Sequence, residues 1–240
     1  MVLAAGFGTR MKPLTDHMPK PLVPLGGRPL LDHVLDRLAA AGIARVAVNV
    51  HHFADQIESH LKGRAEPRVV ISDERDAILE TGGGVARALP VLGDSPFLVH
   101  NSDSVWLEAG RSNLKLLMDA WEPDRMAALL LLAQRDSSIG YDGRGDFHCD
   151  PSGMLKRRGA GEVTPYVFAG VSILKPALFE GIAGKVFSLN VIFDHAIAGG
   201  GLYGVVLEGT WMHVGTPAAL REAESHFHDR NGHHPGHGRL

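Results

Sequence analysis

Apolar positions along the chain follow two alternating patterns. Short continuous runs at 1–5, 45–50, 69–71, 96–100 and 127–133 read as strands buried on both faces. Between them, Leu30, Leu31, Val34, Leu35, Leu38 and Ala41 recur at helical spacing, with Pro29 near the start and Gly42 as the stop. Phe53, Ile57 and Leu61 mark a second amphipathic helix. Val85 and Leu89 mark a third, opened by Gly82-Gly83-Gly84, and Leu114, Leu117 and Trp121 a fourth. Strands that alternate with helices and are apolar throughout predict an α/β fold around a parallel sheet. Residues 12–24, with Pro13, Pro19, Pro21 and Pro24, hold too much proline for a helix and predict an ordered extended loop.

From about residue 135 the texture changes. Residues 146–149 and 154–157 read as a hairpin around Asp150-Pro151-Ser152-Gly153. Strands follow at 166–174 and 203–207, and helices at 191–198 and 217–227. No Gly-, Ser- or Pro-rich linker divides the chain, and no internal repeat occurs. The expectation is a single domain over 1–227, with halves at 1–135 and 136–227. A tail at 228–240, rich in His and poor in apolar residues, is expected to be disordered.

Composition narrows the classes. At 45% hydrophobic and 21% charged, the chain is an ordinary globular one. With 24 Lys and Arg against 27 Asp and Glu, a net charge of -3 gives no basis for a nucleic-acid partner. The longest apolar run, 126–133, is too short to cross a membrane, and no basic segment precedes the first apolar residues to make a signal peptide. The lone Cys149 cannot form an internal disulfide, which fits a reducing, cytoplasmic compartment.

Five segments carry candidate chemistry. Gly6-Phe7-Gly8-Thr9-Arg10-Met11 follows the first strand, but Met11 stands where a dinucleotide fingerprint needs its third glycine. A glycine loop there lets backbone N–H groups approach phosphate oxygens, and Arg10 and Lys20 supply charge for an anion. A tight turn with two solvated cations accounts for the same residues. Leu79-Glu80-Thr81-Gly82-Gly83-Gly84 suits a close-packed junction between loop and helix. Asp103, at the end of an apolar strand, is placed either to bind Mg²⁺ or to cap the next segment. Trp211-Met212-His213-Val214-Gly215-Thr216-Pro217 holds a histidine, and Gly143-Arg144-Gly145-Asp146-Phe147 reads as a hairpin loop with Glu162 beyond it. No Gly-x-Ser-x-Gly or His-Glu-x-x-His motif occurs.

The run Leu3-Ala4-Ala5-Gly6-Phe7-Gly8-Thr9-Arg10-Met11-Lys12-Pro13-Leu14-Thr15, continued by Pro19-Lys20-Pro21-Leu22-Val23-Pro24, resembles the signature of sugar-1-phosphate nucleotidyltransferases. The resemblance implies a Rossmann-like fold with a mixed, mostly parallel central sheet. It implies that Ala4, Gly6, Gly8, Thr9, Arg10 and Lys20 hold a nucleoside triphosphate, with Gly82 and Gly83 against the base. It makes Arg10, Lys20 and Asp103 catalytic, Asp103 as a Mg²⁺ ligand. Segment 211–217 resembles the family's second metal segment, except that His213 stands at the aspartate position. Imidazole suits softer ions better, so Mn²⁺ or another divalent ion, a phosphate contact, or Asp103 with water alone stay open. Asn101, Asp146, Glu162 and Gly170 are the implied sugar-binding residues.

Segments 79–84, 143–147 and 177–181 are further similar to N-acetylmuramate-1-phosphate uridylyltransferases. The implied substrates are UTP and N-acetylmuramate 1-phosphate, giving a nucleotide sugar and pyrophosphate in cell-wall sugar recycling. A mannose- or heptose-1-phosphate guanylyltransferase shares the first motif, and His213 keeps open a catalytically silent nucleotide-sugar sensor. A monomer or small homo-oligomer without nucleic-acid or membrane partners is expected. The signature starts at residue 1, so leading residues outside the sequence are expected, and 240 residues leave no room for the hexapeptide-repeat β-helix that related enzymes often carry.

Overall fold

The computed structural model describes the backbone of residues 1–231 and the side chains of residues 1–227. Seven strands form the body of one sheet, in the order Arg68–Asp73, Arg45–Val50, Val2–Leu3, Phe97–Asn101, Tyr166–Leu174, Ala128–Gln134 and Leu202–Val206. The first four are mutually parallel. Tyr166–Leu174 runs antiparallel to both of its neighbours, and the last two strands pair in parallel. The sheet is therefore mixed and mostly parallel, as expected. The predicted hairpin, Phe147–Cys149 with Leu155–Arg157, joins it where Phe147 pairs with Tyr166.

Helices cover both faces, which is why the strands read as unbroken apolar runs. Val46, Val48, Val50, Leu129 and Leu131 face one core, with Leu31, Leu35 and Ile57 from the helices Leu30–Ala40 and Ala54–Leu61. Ala47, Leu130 and Leu132 face the other, with Val85 and Ala88 from Glu80–Leu92 and Ile192 and Phe193 from Leu189–Ala198. Neighbouring residues of one strand thus serve opposite cores, the two-residue period of a pleated strand.

The strand order fixes where a ligand can sit. The chain leaves Val2–Leu3 toward one side of the sheet and later returns to its other side as Phe97–Asn101. The crossovers diverge at that point and leave a crevice beyond the carboxyl ends of the two strands, the usual ligand position in open α/β sheets.

Sequence periodicity missed a ribbon that bears on the site. Ser104–Glu108 and Gly209–His213 form a separate antiparallel ribbon, pairing Ser104 with His213. Ser104 ties it to the main sheet: its hydroxyl donates to the Ala169 carbonyl and accepts from Trp211 Nε1 at 2.8 Å. Ala169 lies in a bulge between Phe168 and Ser172, where Gly170 has φ +77°. A Cβ on Gly170 would stand 2.8 Å from Ser104 Cβ and 3.2 Å from Asn101 Cβ.

Most limits shift by one or two residues, and two helices depart further from expectation. The triple glycine lies inside the helix Glu80–Leu92 rather than ahead of it, and the last helix, Pro217–Asn231, continues four residues past 227. The rest of the expected tail, 232–240, lies outside the described residues. Among the described residues no helix is long and apolar enough to cross a membrane.

Gly170→Ala should lower stability by about 2 kcal/mol or more, from left-handed backbone and the contact with Ser104. Urea unfolding checks this. An unchanged midpoint would contradict the packing role.

Candidate active site

A cleft of about 290 Å³ opens in the crevice. Ala4, Gly6, Gly8, Thr9, Arg10 and Lys20 line it from the first loop, and Asn101, Ser102 and Asp103 from the end of the neighbouring strand. Ile78, Glu80, Thr81 and Gly215 also line it.

The loop is shaped by Gly8. Its φ is +64°, and a Cβ there would meet Lys20 Cβ at 3.0 Å and Thr15 Cγ2 at 3.1 Å. Its carbonyl accepts from Met11 N–H at 2.8 Å and from the buried Thr15 hydroxyl at 2.9 Å. The 3₁₀ turn Thr9–Met11 leads into the proline-rich stretch, which is not extended but winds through two more, Leu14–Asp16 and Lys20–Leu22. The last turn starts at Lys20 and aims it across the crevice. There Lys20 Nζ donates to Asp103 Oδ2 at 2.5 Å, with side chains only 12% and 21% exposed.

Burial alone would push the Asp103 carboxyl up. The Lys20 ammonium bonded to it, with His213 nearby, outweighs burial and holds it below the usual aspartate range, so it stays ionised. The ribbon delivers His213: it pairs opposite Ser104, and Val214 N–H donates to the Asp103 carbonyl at 3.3 Å. Burial pushes the His213 imidazole down; Asp103 opposes this, while Lys20 and Arg10 add to it. The ring is therefore neutral near pH 7. Arg10 makes no ion pair among the described residues, which leaves its charge for a ligand.

These groups constrain any metal. Mg²⁺ is usually held by one or two carboxylates plus phosphate oxygens, rather than by an all-protein cage. Among the described residues no group of three or more His, Cys, Asp or Glu is arranged to hold an ion. One ionised carboxylate with a neutral imidazole beside it fits a divalent ion that arrives with phosphates.

Asn49 and Glu74 also line the cleft and were not among the sequence candidates. Asn49 Oδ1 accepts from Ala4 N–H at 2.7 Å, and its Nδ2 donates to Glu74 Oε1 at 2.8 Å. This buried strut joins the ends of three strands beneath the loop. Burial pushes the Glu74 carboxyl up, against the bond from Asn49. The helix packs directly on the strut: a Cβ on Gly84 would lie 2.8 Å from Glu74 Oε1 and 2.9 Å from Asn49 Nδ2. A polar Asn within the apolar strand at 45–50 was the available signal.

Other candidates stand away from the cleft. The N–H groups of Gly82 and Gly83 both donate to the Phe187 carbonyl, at 2.8 and 3.0 Å, and Phe187 and Lys185 fill the space a Cβ would need. The glycines serve helix packing, and Glu80 and Thr81 reach the cleft instead. Asp146 Oδ2 accepts from Phe168 N–H at 2.9 Å, and Glu162 Oε2 from Gly159 N–H at 2.8 Å. Asp146 ties the start of the hairpin to the strand Tyr166–Leu174, Glu162 closes its own loop, and neither lines the cleft. Gly170 lies behind Asn101, in the bulge. Of the four sugar candidates only Asn101 lines the cavity.

A cationic glycine loop facing an ionised aspartate at a topological switch point is the arrangement of a protein that handles phosphate esters. Residues 1–170 match the MobA-like NTP transferase domain, and the chain belongs to that family. It is 45% identical over 229 residues to N-acetylmuramate alpha-1-phosphate uridylyltransferase of Caulobacter vibrioides, covering 94% of this chain and 95% of that one. It is 36% identical over 231 residues to the protein of the same name from Neisseria meningitidis, covering 94% and 96%. The crystal structure of HddC from Yersinia pseudotuberculosis complexed with GMP-PN shares the fold, with a TM-score of 0.75 at 22% identity, covering 94% of this chain and 97% of that one.

Gly84→Ala should cost about 1–3 kcal/mol, because the added methyl must displace a bonded pair. Thermal unfolding measures it; a fully retained midpoint would mean the strut has slack.

Proposed function

We propose that this chain transfers the uridylyl group of UTP to N-acetylmuramate 1-phosphate, forming the nucleotide sugar and pyrophosphate. The observation that carries the reading is the near full-length identity with two uridylyltransferases of that name. The cleft supports it, because its charges suit a triphosphate at Gly8, Thr9, Arg10 and Lys20 with an acceptor beside Asn101 and Asp103.

The acceptor phosphate is already an anion at neutral pH, so neither a protein nucleophile nor a strong general base is needed. Its oxygen attacks the α-phosphorus in line. One P–O bond forms as the bond to pyrophosphate breaks, and the leaving group carries away the electron pair. Catalysis is then positioning and charge neutralisation. Arg10 and Lys20 offset the triphosphate charge, and the glycine loop brings backbone N–H groups toward its oxygens. Asp103 orients the Lys20 ammonium. A divalent ion would be held by Asp103, with His213 beside it, and would neutralise charge on the phosphate oxygens.

Lys20→Ala and Asp103→Asn should each lose on the order of 10²–10³ in turnover, measured as pyrophosphate release from folded protein. Near-normal rates in both would overturn the mechanism. A panel crossing four nucleoside triphosphates with several sugar 1-phosphates tests the substrates. UTP with N-acetylmuramate 1-phosphate should be best, and a preference for GTP with mannose 1-phosphate would point to guanylyl transfer.

His213→Asp replaces a nitrogen donor by a hard oxygen donor. It should shift the preferred ion from Mn²⁺ toward Mg²⁺, read as the ratio of rates with the two ions. An unchanged ratio would remove His213 from the metal's surroundings. Activity gained only in the variant would favour a silent sensor as the parent's role.

A further inference from the structure

Every residue from 3 to 11 lines the cleft except Phe7. Its ring packs instead on the two histidines that follow the neighbouring strand Arg45–Val50. It meets His51 edge-on, with centroids 5.4 Å apart and planes at 87°, and His52 at the same distance. His51 is itself fixed, because its Nδ1–H donates to the Glu74 carbonyl at 2.6 Å. His52 lies against the Phe53 ring, with centroids 4.1 Å apart. Phe53 turns the chain into the helix Ala54–Leu61 with φ +53°, a left-handed backbone that bulky side chains rarely adopt.

The glycine loop needs such an anchor. Its two ends are tied, Ala4 N–H to Asn49 and the Gly8 carbonyl to Met11 N–H and the Thr15 hydroxyl. Between them, Ala5, Gly6 and Phe7 make no backbone hydrogen bond among the described residues. Ala5 is buried, but Gly6 and Phe7 are exposed, and a Cβ on Gly6 would meet nothing within 4 Å. Glycine there widens the range of conformations open to the tip. Unspent N–H groups in succession suit phosphate oxygens, yet ordering a free loop on binding costs affinity. Shelter from water does not explain the ring, which stays 45% exposed where a polar side chain would need no shelter.

We propose that Phe7 is a positioning residue, whose ring, latched on His51 and His52, holds the loop tip ready to present its backbone N–H groups to a polyphosphate. This deepens the proposed function and rests on it for taking the loop as the polyphosphate's seat. Without the latch the tip spends part of its time in other conformations, and apparent affinity falls with the fraction that remains competent. The latch ends on the Glu74 carbonyl, and the Glu74 side chain bonds the Asn49 that holds Ala4. Tip and base of the loop are thereby referred to one strand end.

The test is calorimetric binding of inorganic triphosphate, with Mg²⁺ present, to the full-length protein. Phe7→Ala should bind it roughly 5–50-fold more weakly, the scale of two aromatic contacts. Its unfolding temperature should move by less than about 2 °C, because the ring is half-exposed. Phe7→Tyr keeps the ring and should restore binding. In a chain already carrying His51→Ala and His52→Ala, adding Phe7→Ala should cost less than about 3-fold more, because the latch is already open. Full affinity in Phe7→Ala would overturn the proposal. An undiminished loss in the chain without the histidines would also overturn it, since Phe7 would then meet the ligand directly. Kinetically, Phe7→Ala should raise KM for UTP and leave kcat within about 3-fold, because bound nucleotide itself holds the loop. A fall in kcat as large as that in kcat/KM would contradict the latch. Latch-dependent triphosphate binding without any pyrophosphate release by the wild type would sink the transfer reading and leave this one standing.

Discussion

The Lys20–Asp103 ion pair is the contact on which the rest of the site depends. It closes the crevice from both sides, because Lys20 belongs to the proline-rich loop and Asp103 follows the strand on the other side of the switch point. Two largely buried charges are tolerable only together. Removing either partner leaves an uncompensated charge, a loss of about 3–5 kcal/mol in comparable buried pairs. The pair also sets the neighbouring electrostatics: Lys20 holds Asp103 ionised, while the two charges push the His213 imidazole in opposite directions and burial keeps it low. With Arg10 unpaired among the described residues, the cleft is prepared for an anion before one arrives.

The surrounding fold is built to hold that pair in register. Val2–Leu3 and Phe97–Asn101 align directly, Val2 opposite His100. Asn49 and Glu74 then fix the loop from below through Ala4 N–H. From the other side, the bulge at Gly170 makes room for Ser104, whose hydroxyl fastens the ribbon that carries His213. Glycines at 8, 84 and 170 share one cause: a side chain there would strike a group the site needs in place.

Much of this was legible in the residues. Continuous apolar runs located the main strands, with Arg45–Val50 and Tyr166–Leu174 matching their predicted limits, because burial on both faces leaves little room for polar residues. The loop signature placed Gly8, Arg10, Lys20 and Asp103 around one cleft. The ribbon was missed because Ser104–Glu108 and Gly209–His213 are five residues each, and neither has helical or cleanly alternating spacing. Gly82 and Gly83 do not line the cleft, and a glycine that admits a ligand and one that admits Phe187 look alike in sequence. Asp146 and Glu162 show the same ambiguity for carboxylates, since an acid that accepts from backbone N–H, of a neighbouring strand for Asp146 and of its own loop for Glu162, has no distinguishing neighbour along the chain. Asn49 and Glu74 act only through contacts that the fold brings together.

The proposed chemistry is one of positioned charge, with no covalent intermediate on the protein. Cys149, the one thiol in the chain, is in the hairpin strand Phe147–Cys149 and does not line the cleft. Burial and Asp150 push its thiol up, away from the nucleophilic form. The most direct test of this account is the stereochemical course at phosphorus, using UTP with a single-handed sulfur substitution at the α-phosphate and N-acetylmuramate 1-phosphate as acceptor. Direct in-line transfer predicts inversion at the α-phosphorus in the nucleotide-sugar product. Retention would require two displacements through a uridylylated side chain and would contradict it.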